Sequence, residues 1–138
     1  MLITDDNATN RLVLRKLLDK HGVEIHEAAS GREALELLAE TRVDVVLMDI
    51  QMPGLDGMET TVRLIEAEAL AARTPPPVIG VTANVLPEQV AQYKDIGMVA
   101  VLAKPVAKPL LLNTISAVTS TATATRGDVA PQTQRAAG

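Results

Sequence analysis

The stretch Val43-Asp44-Val45-Val46-Leu47-Met48 is β-branched and nearly all apolar, and Asp49 follows it directly. A strand with one face in water alternates polar and apolar residues, whereas a strand covered by helices on both faces is apolar almost throughout. We therefore predict that residues 43–48 form the central strand of a parallel sheet.

Four further short apolar runs predict the remaining strands. They lie at residues 1–4, 23–27, 78–82 and 99–103. In the second run, apolar Val23 and Ile25 are followed by polar His26 and Glu27, so this strand is expected near a sheet edge. Helical patterns separate the runs, and a βα unit repeated five times predicts right-handed crossovers and an α/β fold with a parallel five-stranded sheet.

The helices are predicted from their end signals and their apolar faces. The first is expected over residues 8–21 with Gly22 as its terminator, and the second begins at a capping box formed by Ser30 and Glu33. A loop at residues 52–57 precedes the third. Apolar residues at helical spacing mark the others: Met58, Val62 and Ile65; then Val90 and Tyr93 in a helix from Pro87 to Gly97; then Leu111, Ile115 and Val118 in a last helix from about Pro109.

The composition limits the class of protein. A chain of 138 residues suits one domain, and its core must be aliphatic because Phe and Trp are absent and Tyr93 is its single aromatic residue. Cys is absent as well, so no disulfide can form. The net charge of −4, without clustered Lys or Arg, argues against nucleic-acid binding. No apolar run approaches the roughly 18 residues of a membrane span. We expect a soluble, cytoplasmic domain over residues 1–119 and a flexible tail or linker, rich in Thr, Ala and Gly, over residues 120–138.

Polar residues follow four of the five predicted strands. They are Asp5-Asp6 after the first, Asp49 after the third, Thr82 at the end of the fourth and Lys104-Pro105 after the fifth. The carboxyl ends of parallel strands open on one crevice, so these residues should meet in space. Three carboxylates attract a hard cation such as Mg²⁺. A buried Asp can accept a phosphoryl group while an ammonium and a hydroxyl stabilise the developing charge.

Each signal also has an ordinary structural explanation. An Asp-Asp pair after a strand is usually a helix cap, and an Asp before a Met-Pro-Gly loop is ordinarily a turn residue. Thr82 is typical of a β-branched strand position, and Lys104 of a solvated charge. The joint placement of all four signals at strand ends, with none after the second strand, favours a phosphorylation site over four independent coincidences.

The motif resembles the receiver domains of two-component response regulators, which have the CheY-like, flavodoxin-like fold with strand order 2-1-3-4-5. The resemblance covers residues 1–119. It implies that Asp49 is the phosphoacceptor and that Mg²⁺ is the cofactor. The implied metal ligands are Asp5, Asp6, Asp49 and the backbone carbonyl of Gln51.

The same resemblance assigns roles near the ends of the fourth and fifth strands. Thr82 matches the switch hydroxyl, and small Ala83 beside it leaves access to the phosphoryl group. Lys104 matches the family's lysine, and its peptide bond to Pro105 is expected to be cis. Many receivers carry Tyr or Phe three residues before that lysine, as a ring that swings inward on phosphorylation, and Val101 replaces the ring here.

The segment 47–53, Leu-Met-Asp-Ile-Gln-Met-Pro, resembles receivers attached to hybrid sensor kinases. The implied partner is a sensor histidine kinase or a histidine phosphotransfer domain, which donates a phosphoryl group from phosphohistidine. Neither His21, at a predicted helix end, nor His26, on a predicted strand, is expected to be the donor. The domain itself is then not an enzyme beyond its own phosphorylation and dephosphorylation. Dimerisation through the last helix is left open by the sequence.

Two other functions stay open at this point. A haloacid-dehalogenase-like phosphatase also uses an Asp nucleophile and Mg²⁺, but that family has a second Asp two residues on, where this chain has Gln51. A degenerate receiver would act only as a protein-interaction module, and the filled site positions argue against it.

Overall fold

The computed structural model describes residues 1–18 and 24–127, with side chains described as far as residue 119. Its strands are β1 (Leu2–Thr4), β2 (His26–Ala28), β3 (Val46–Asp49), β4 (Val78–Thr82) and β5 (Ala100–Ala103). Its helices are α1 (Ala8–Leu18), α2 (Gly31–Glu40), α3 (Gly57–Leu70), α4 (Pro87–Asp95) and α5 (Lys108–Gly127). The predicted alternation of strands and helices is confirmed.

The sheet is parallel throughout, and its strand order is β2-β1-β3-β4-β5. The flavodoxin-like α/β fold is therefore confirmed, as is the edge position of β2. The order reverses between β1 and β3, because β2 lies on one side of β1 and all later strands lie on the other. Such a reversal opens a crevice beyond the carboxyl ends of β1 and β3. Asp5 directly follows β1, and Asp49 is the last residue of β3.

Helices cover both faces of the sheet with aliphatic side chains. On one face, Leu38 of α2, Leu64 of α3 and Tyr93 of α4 belong to a cluster with side chains of β1, β3 and β4. On the other, Leu14 of α1 and Leu111 of α5 belong to a second cluster. Successive strand residues point to opposite faces, so each buried strand contributes to both clusters.

The central strand is shorter than the apolar run that predicts it. β3 covers Val46–Asp49 rather than residues 43–48, and all four of its residues are buried. Val45 is also buried, but it lies before the strand, and its carbonyl accepts a hydrogen bond from Leu2 at 3.0 Å. A run of apolar residues indicates burial, which continues beyond the paired segment, so it overextends the strand toward its start.

The predicted helix starts are largely confirmed. Ser30 caps α2 and its hydroxyl accepts from the Glu33 backbone at 3.1 Å, but the Glu33 carboxylate accepts from the Ala29 backbone instead of closing the capping box on Ser30. Pro87 lies in the first turn of α4 as expected, and Gly97 follows that helix with a φ of 120°, a conformation that favours glycine.

The buried face of α3 differs from the predicted stripe of Met58, Val62 and Ile65, which are only half-buried. Its fully buried residues include Thr60 and Thr61. Their hydroxyls donate to the carbonyls of the preceding turn, at 2.7 and 2.8 Å, and so need no partner outside the helix. Asp56, predicted as part of the loop, is the N-cap of this helix.

The last helix runs beyond the predicted domain end. α5 continues from Lys108 to Gly127, past residue 119, because no Gly or Pro interrupts its backbone between Pro109 in the first turn and Gly127. The assignment of residues 120–138 to a tail or linker stays a prediction, and residues 128–138 lie outside the described residues. Residues 19–23, which include the predicted helix end at His21 and Gly22, lie outside them as well. Within residues 1–18 and 24–127, no helix has both the length and the hydropathy of a membrane span.

Candidate functional site

Asp49 is the last residue of β3 and is only 3% exposed. Its carboxylate Oδ1 accepts from the Lys104 ammonium at 3.0 Å and from the Gln51 backbone at 3.3 Å. Among residues 1–18 and 24–119, nothing donates a hydrogen bond to Oδ2. The carboxylate is therefore held by one oxygen while the other keeps its lone pairs free.

The start of α3 packs directly behind Asp49. A Cβ atom at Gly57 would overlap the Asp49 carbonyl oxygen, so only glycine allows this close approach. The Gly57 backbone also donates to the Ile50 carbonyl at 3.0 Å. Ile50, which follows Asp49, is thereby held against α3, and this contact limits how far Asp49 can move.

The acidic pair occupies the turn between β1 and α1. Asp5 is 1% exposed and its Oδ1 accepts from the Asn7 backbone at 2.8 Å, whereas Asp6 is exposed. The capping role belongs to Asn7, whose side chain accepts from the backbones of Thr9 and Asn10 at 2.8 and 3.1 Å. Neither Asp is needed as the cap of α1, so the helix-cap explanation of the pair fails.

Lys104 follows β5 and lies between two carboxylates. Its Nζ is 3.0 Å from Asp49 Oδ1 and 3.7 Å from Asp5 Oδ2. Its peptide bond to Pro105 is cis, as the family resemblance implies. The ammonium neutralises part of the charge of the crevice but leaves an excess of carboxylates.

Thr82 ends β4, is 1% exposed, and its hydroxyl accepts from the Asn84 backbone at 3.1 Å. Its carbonyl accepts from the Lys104 backbone at 2.9 Å, so the ends of β4 and β5 are tied together. Ala83 next to it is exposed. The residue with the predicted switch hydroxyl is therefore next to an exposed position, and its main-chain carbonyl is hydrogen-bonded to the strand end that carries the lysine.

Burial raises the pKa of the Asp49 carboxyl above its ordinary value. The hydrogen bond from Lys104 lowers this pKa and the nearby Asp5 carboxylate raises it, and the net direction is upward. Burial and the neighbouring Asp5 carboxylate thus disfavour ionisation of Asp49. A bound cation would relieve this repulsion.

Asp5, Asp6 and Asp49 meet the requirements of a hard-cation site. Each offers a carboxylate oxygen, and these oxygens all lie within 4.8 Å of one another. Oxygen ligands and a net negative charge suit Mg²⁺, and exposed Asp6 leaves one side open to water, which Mg²⁺ retains in most protein sites. The donor set therefore fits the cofactor expected from the sequence.

The position of the missing switch ring is filled by aliphatic packing. Val101 of β5 pairs with Gly80 of β4 and packs against the cluster that contains Met98 and Tyr93. Tyr93 is buried on α4, which agrees with its expected packing role. No ring lies at the Val101 position to swing toward Thr82.

A cavity of about 350 Å³ opens beside the site between α1 and the segment after β5. Asp5 and Lys104 line its polar side. Val13 and Leu14 of α1 and Val106 line its apolar side, and the exposed Leu12 lies next to Val13 in the sequence. The approach to the carboxylates is therefore bordered by an apolar surface.

The sequence analysis does not identify two residues that hold the site in place, Gly57 and Arg11. Gly57 reads as a loop residue after Asp56, although its role is to admit the backbone of Asp49. Arg11, at an ordinary polar position of α1, donates through Nη1 to the Asp5 carbonyl at 2.7 Å. Gly57 has one sequence signal, because glycine is unusual in the first turn of a helix. Arg11 has none, because a hydrogen bond from a side chain to a distant carbonyl has no sequence signature.

A doubly wound sheet with this strand order and with carboxylates at its switch point defines the class of α/β proteins that bind ligands at the carboxyl ends of the strands. The chain belongs to the response regulator receiver domain family, whose model matches residues 1–116. The receiver domain expected from the sequence is therefore confirmed.

Comparison with curated proteins gives the context of such domains. The sensory/regulatory protein RpfC of Xanthomonas campestris pv. campestris is 35% identical over 116 residues, which are 84% of this chain and 16% of RpfC. Several sensor histidine kinases match over nearly the same length. The chain spans less than a fifth of the length of the curated relatives it matches.

Two solved receiver domains share the fold closely. That of the sensor histidine kinase PA1611 from Pseudomonas aeruginosa PAO1, with a magnesium ion coordinated in its active-site cleft, is 28% identical with a TM-score of 0.74, over 86% of this chain and 95% of that one. That of Ssk1 from Saccharomyces cerevisiae, crystallised with the histidine phosphotransfer protein Ypd1, is 25% identical with a TM-score of 0.82, over 88% of each chain.

Proposed function

We propose that this domain accepts a phosphoryl group on Asp49 from a phosphohistidine of a partner protein, with Mg²⁺ bound by Asp5, Asp6, Asp49 and the carbonyl of Gln51. The observation that carries the proposal is the difference in contacts between the two Asp49 carboxylate oxygens. Oδ1 is held by Lys104 and Gln51, and Oδ2 is left free to attack phosphorus.

In the transfer, the bond from phosphorus to the imidazole nitrogen of the donor breaks as the bond from phosphorus to Asp49 Oδ2 forms. Mg²⁺, when bound, neutralises charge on the transferred oxygens. Lys104 Nζ, 3.0 Å from the acceptor, stabilises the same charge from the β5 side. After transfer, Thr82 and Lys104 re-orient toward the new dianion, and their shared backbone hydrogen bond links that movement to β4 and β5.

The donor is proposed to be a histidine phosphotransfer domain or a sensor histidine kinase, and the compartment to be the cytoplasm. The receiver of Ssk1 forms a complex with such a phosphotransfer protein. On this chain, the apolar border of the cavity beside Asp5 and Lys104 offers a docking surface close to the acceptor. The domain alone would catalyse only its own phosphorylation and dephosphorylation.

Labelling with acetyl phosphate tests the proposal without the partner. In this reaction acetate leaves as the Asp49 phosphoanhydride forms. We expect the intact mass to increase by one phosphoryl group in Mg²⁺ and not in EDTA, and the product to be cleaved by hydroxylamine, as acyl phosphates are. Asp49→Asn should remove the label, whereas Asp44→Asn, at an exposed carboxylate just before β3, should keep it.

Labelling of Asp49→Asn to the wild-type extent would refute the proposal. Continuous hydrolysis of a generic phosphate ester, instead of a single labelling event, would identify an Asp-nucleophile phosphatase. No labelling and no response to Mg²⁺ would identify a module that only binds other proteins.

A further inference from the structure

Arg11 bonds to the main chain of the acidic pair. Its Nη1 donates to the Asp5 carbonyl at 2.7 Å, and its side chain is only 17% exposed. The Asp5 backbone NH is held at the same time by the Ala28 carbonyl of β2, at 3.1 Å. Both polar groups of the Asp5 main chain are therefore fixed, one by the sheet and one by Arg11.

Glu27 holds Arg11 in this position. Its Oε1 accepts from Arg11 Nε at 3.0 Å, and its Oε2 accepts from Arg15 Nε at 2.6 Å. Arg15 also donates to the Ile25 carbonyl of the segment before β2, at 3.4 Å. The guanidinium of Arg11 is thus clamped between an edge strand with no candidate site residue and the turn that carries Asp5 and Asp6.

The turn between β1 and α1 is the part of the site that repulsion would displace. Asp49 is fixed at the end of a central strand, whereas Asp5 and Asp6 lie in a turn and face it with like charge. A bidentate guanidinium, with one nitrogen on a carbonyl and another on a carboxylate, defines direction as well as distance. We propose that Arg11, locked by Glu27, is a positioning residue that holds the acidic pair in place to bind a divalent cation.

A role through charge and a role in positioning predict opposite effects of removing Arg11 on the Mg²⁺ affinity, so the two roles can be distinguished. If Arg11 acted only through its charge, its removal would lessen the repulsion of an incoming cation and tighten Mg²⁺ binding. If it positions the acidic pair, its removal should weaken Mg²⁺ binding roughly 10-fold, the lower end of the range for residues that orient metal ligands.

The experiment is a calorimetric titration of the whole 138-residue chain with MgCl₂, and it rests on the proposed metal site. We expect Arg11→Ala and Arg11→Lys to bind about 10-fold more weakly than wild type, because lysine keeps the charge but lacks the two-pronged geometry. Arg73→Ala is the matched control. It removes another Arg–Glu pair, Arg73 Nε to Glu68 Oε2 at 2.5 Å, which involves no candidate metal ligand, and should leave the Mg²⁺ affinity unchanged.

The outcomes separate this inference from the proposed function. A wild type that does not bind Mg²⁺ refutes the metal site, and the positioning role with it. A wild type that binds, with Arg11→Ala equal or tighter or with Arg11→Lys restored to wild-type affinity, refutes only the positioning role. Should Arg11→Ala fail to fold by far-ultraviolet circular dichroism, Glu27→Gln provides the test, and an affinity equal to wild type would overturn the inference.

Discussion

Two buried carboxylates of this domain lie in opposite electrostatic settings. Glu68 of α3 is 2% exposed and contacts two guanidinium groups, Arg42 Nη1 at 3.5 Å and Arg73 Nε at 2.5 Å. Asp49 is 3% exposed and faces one ammonium and two further carboxylates. The first carboxylate is neutralised by the fold, and the second is left with excess negative charge.

The difference shows where the domain favours stability and where it favours chemistry. Around Glu68, Arg42 also donates to the Thr74 carbonyl at 3.4 Å, and the Arg73 backbone donates to the Glu68 carbonyl at 2.8 Å, so the ion pairs connect α3 to the loop before β4. Around Asp49, burial raises the pKa of the carboxyl, and the Asp5 carboxylate raises it further against the opposing hydrogen bond from Lys104. The second site keeps excess negative charge that a bound cation would compensate.

The largest effect should come from removing both cations from Glu68. In the double variant Arg42→Ala/Arg73→Ala, a buried carboxylate remains without a partner, and we expect a loss of about 3 kcal/mol in the free energy of unfolding. Both guanidinium groups are partly exposed, which keeps the loss from being larger. Urea denaturation measures it. Arg63→Ala breaks the exposed pair of Arg63 with Glu59 and should cost less than 0.5 kcal/mol, roughly the value of such helix pairs. Equal losses in the two variants would contradict the comparison.

The next effect is the response to Mg²⁺, which should stabilise the Asp49 end of the sheet alone. At a free concentration ten times its dissociation constant, a ligand that binds only the folded state adds about 1.4 kcal/mol. Thermal denaturation of wild type with MgCl₂ should show this gain. Asp6→Ala removes an exposed candidate ligand at little cost to the fold and should abolish the gain. A gain of the same size in Asp6→Ala would mean that the cation binds elsewhere.

Neutralising Asp49 should stabilise the metal-free domain. Asp49→Asn removes one of the repelling charges, and we expect an increase of roughly 1 kcal/mol in the free energy of unfolding at pH 7 in EDTA, after the lost hydrogen bond to Lys104 is deducted.

The pH dependence of this gain follows from the raised pKa of Asp49. Between the ordinary value of 3.8 and the raised value, the folded state binds more protons than the unfolded state, so the stability contributed by this carboxyl falls as pH rises through that window. The advantage of Asp49→Asn over wild type should therefore be full at pH 7 and shrink toward pH 3.8. A stability advantage of Asp49→Asn that grows as the pH falls would contradict a raised pKa of Asp49 in the folded state.

A smaller effect is expected at Glu27, a paired carboxylate that is 31% exposed. Its pKa is lowered, chiefly by the hydrogen bond from Arg15. Glu27→Gln should cost roughly 0.5 kcal/mol at neutral pH, as exposed pairs do. Because the folded pKa lies below the ordinary 4.5, this contribution is present above pH 4.5 and lost as pH falls through the folded value. A cost that persists at pH 3 would contradict an ionic origin.

The fold and the candidate site residues are predictable from the sequence because both depend on local pattern. The apolar runs locate β1, β3, β4 and β5, whereas β2 forms at His26–Ala28 instead of residues 23–27. The parallel topology then places whatever follows the strands at one edge of the sheet. Asp5, Asp49 and Lys104 are close together for this reason alone. The predicted start of β3 at residue 43 is wrong, because buried residues such as Val45 continue beyond the hydrogen-bonded part of the strand.

The rest depends on contacts between residues that are distant in the sequence. The sequence does not predict the ion pairs of Glu68 with two arginines. It does not predict the bond from Arg11 either, because its acceptor is a main-chain carbonyl. Thr60 and Thr61 are buried although polar, because their hydroxyls bond within their own helix. In each case the deciding partner is a main-chain group or a residue on another element, which hydrophobic periodicity does not report.

The packing of Tyr93 has a practical consequence. It is the only aromatic residue of a chain without tryptophan, and it is buried on α4 in the cluster against which Val101 packs. All near-ultraviolet absorption and intrinsic fluorescence of side chains therefore come from one ring, close to the strands that follow Asp49 in the sheet. The aliphatic composition that leaves this receiver without a switch ring supplies it with a single native chromophore, and any change in that signal on phosphorylation can be assigned to α4 without labelling.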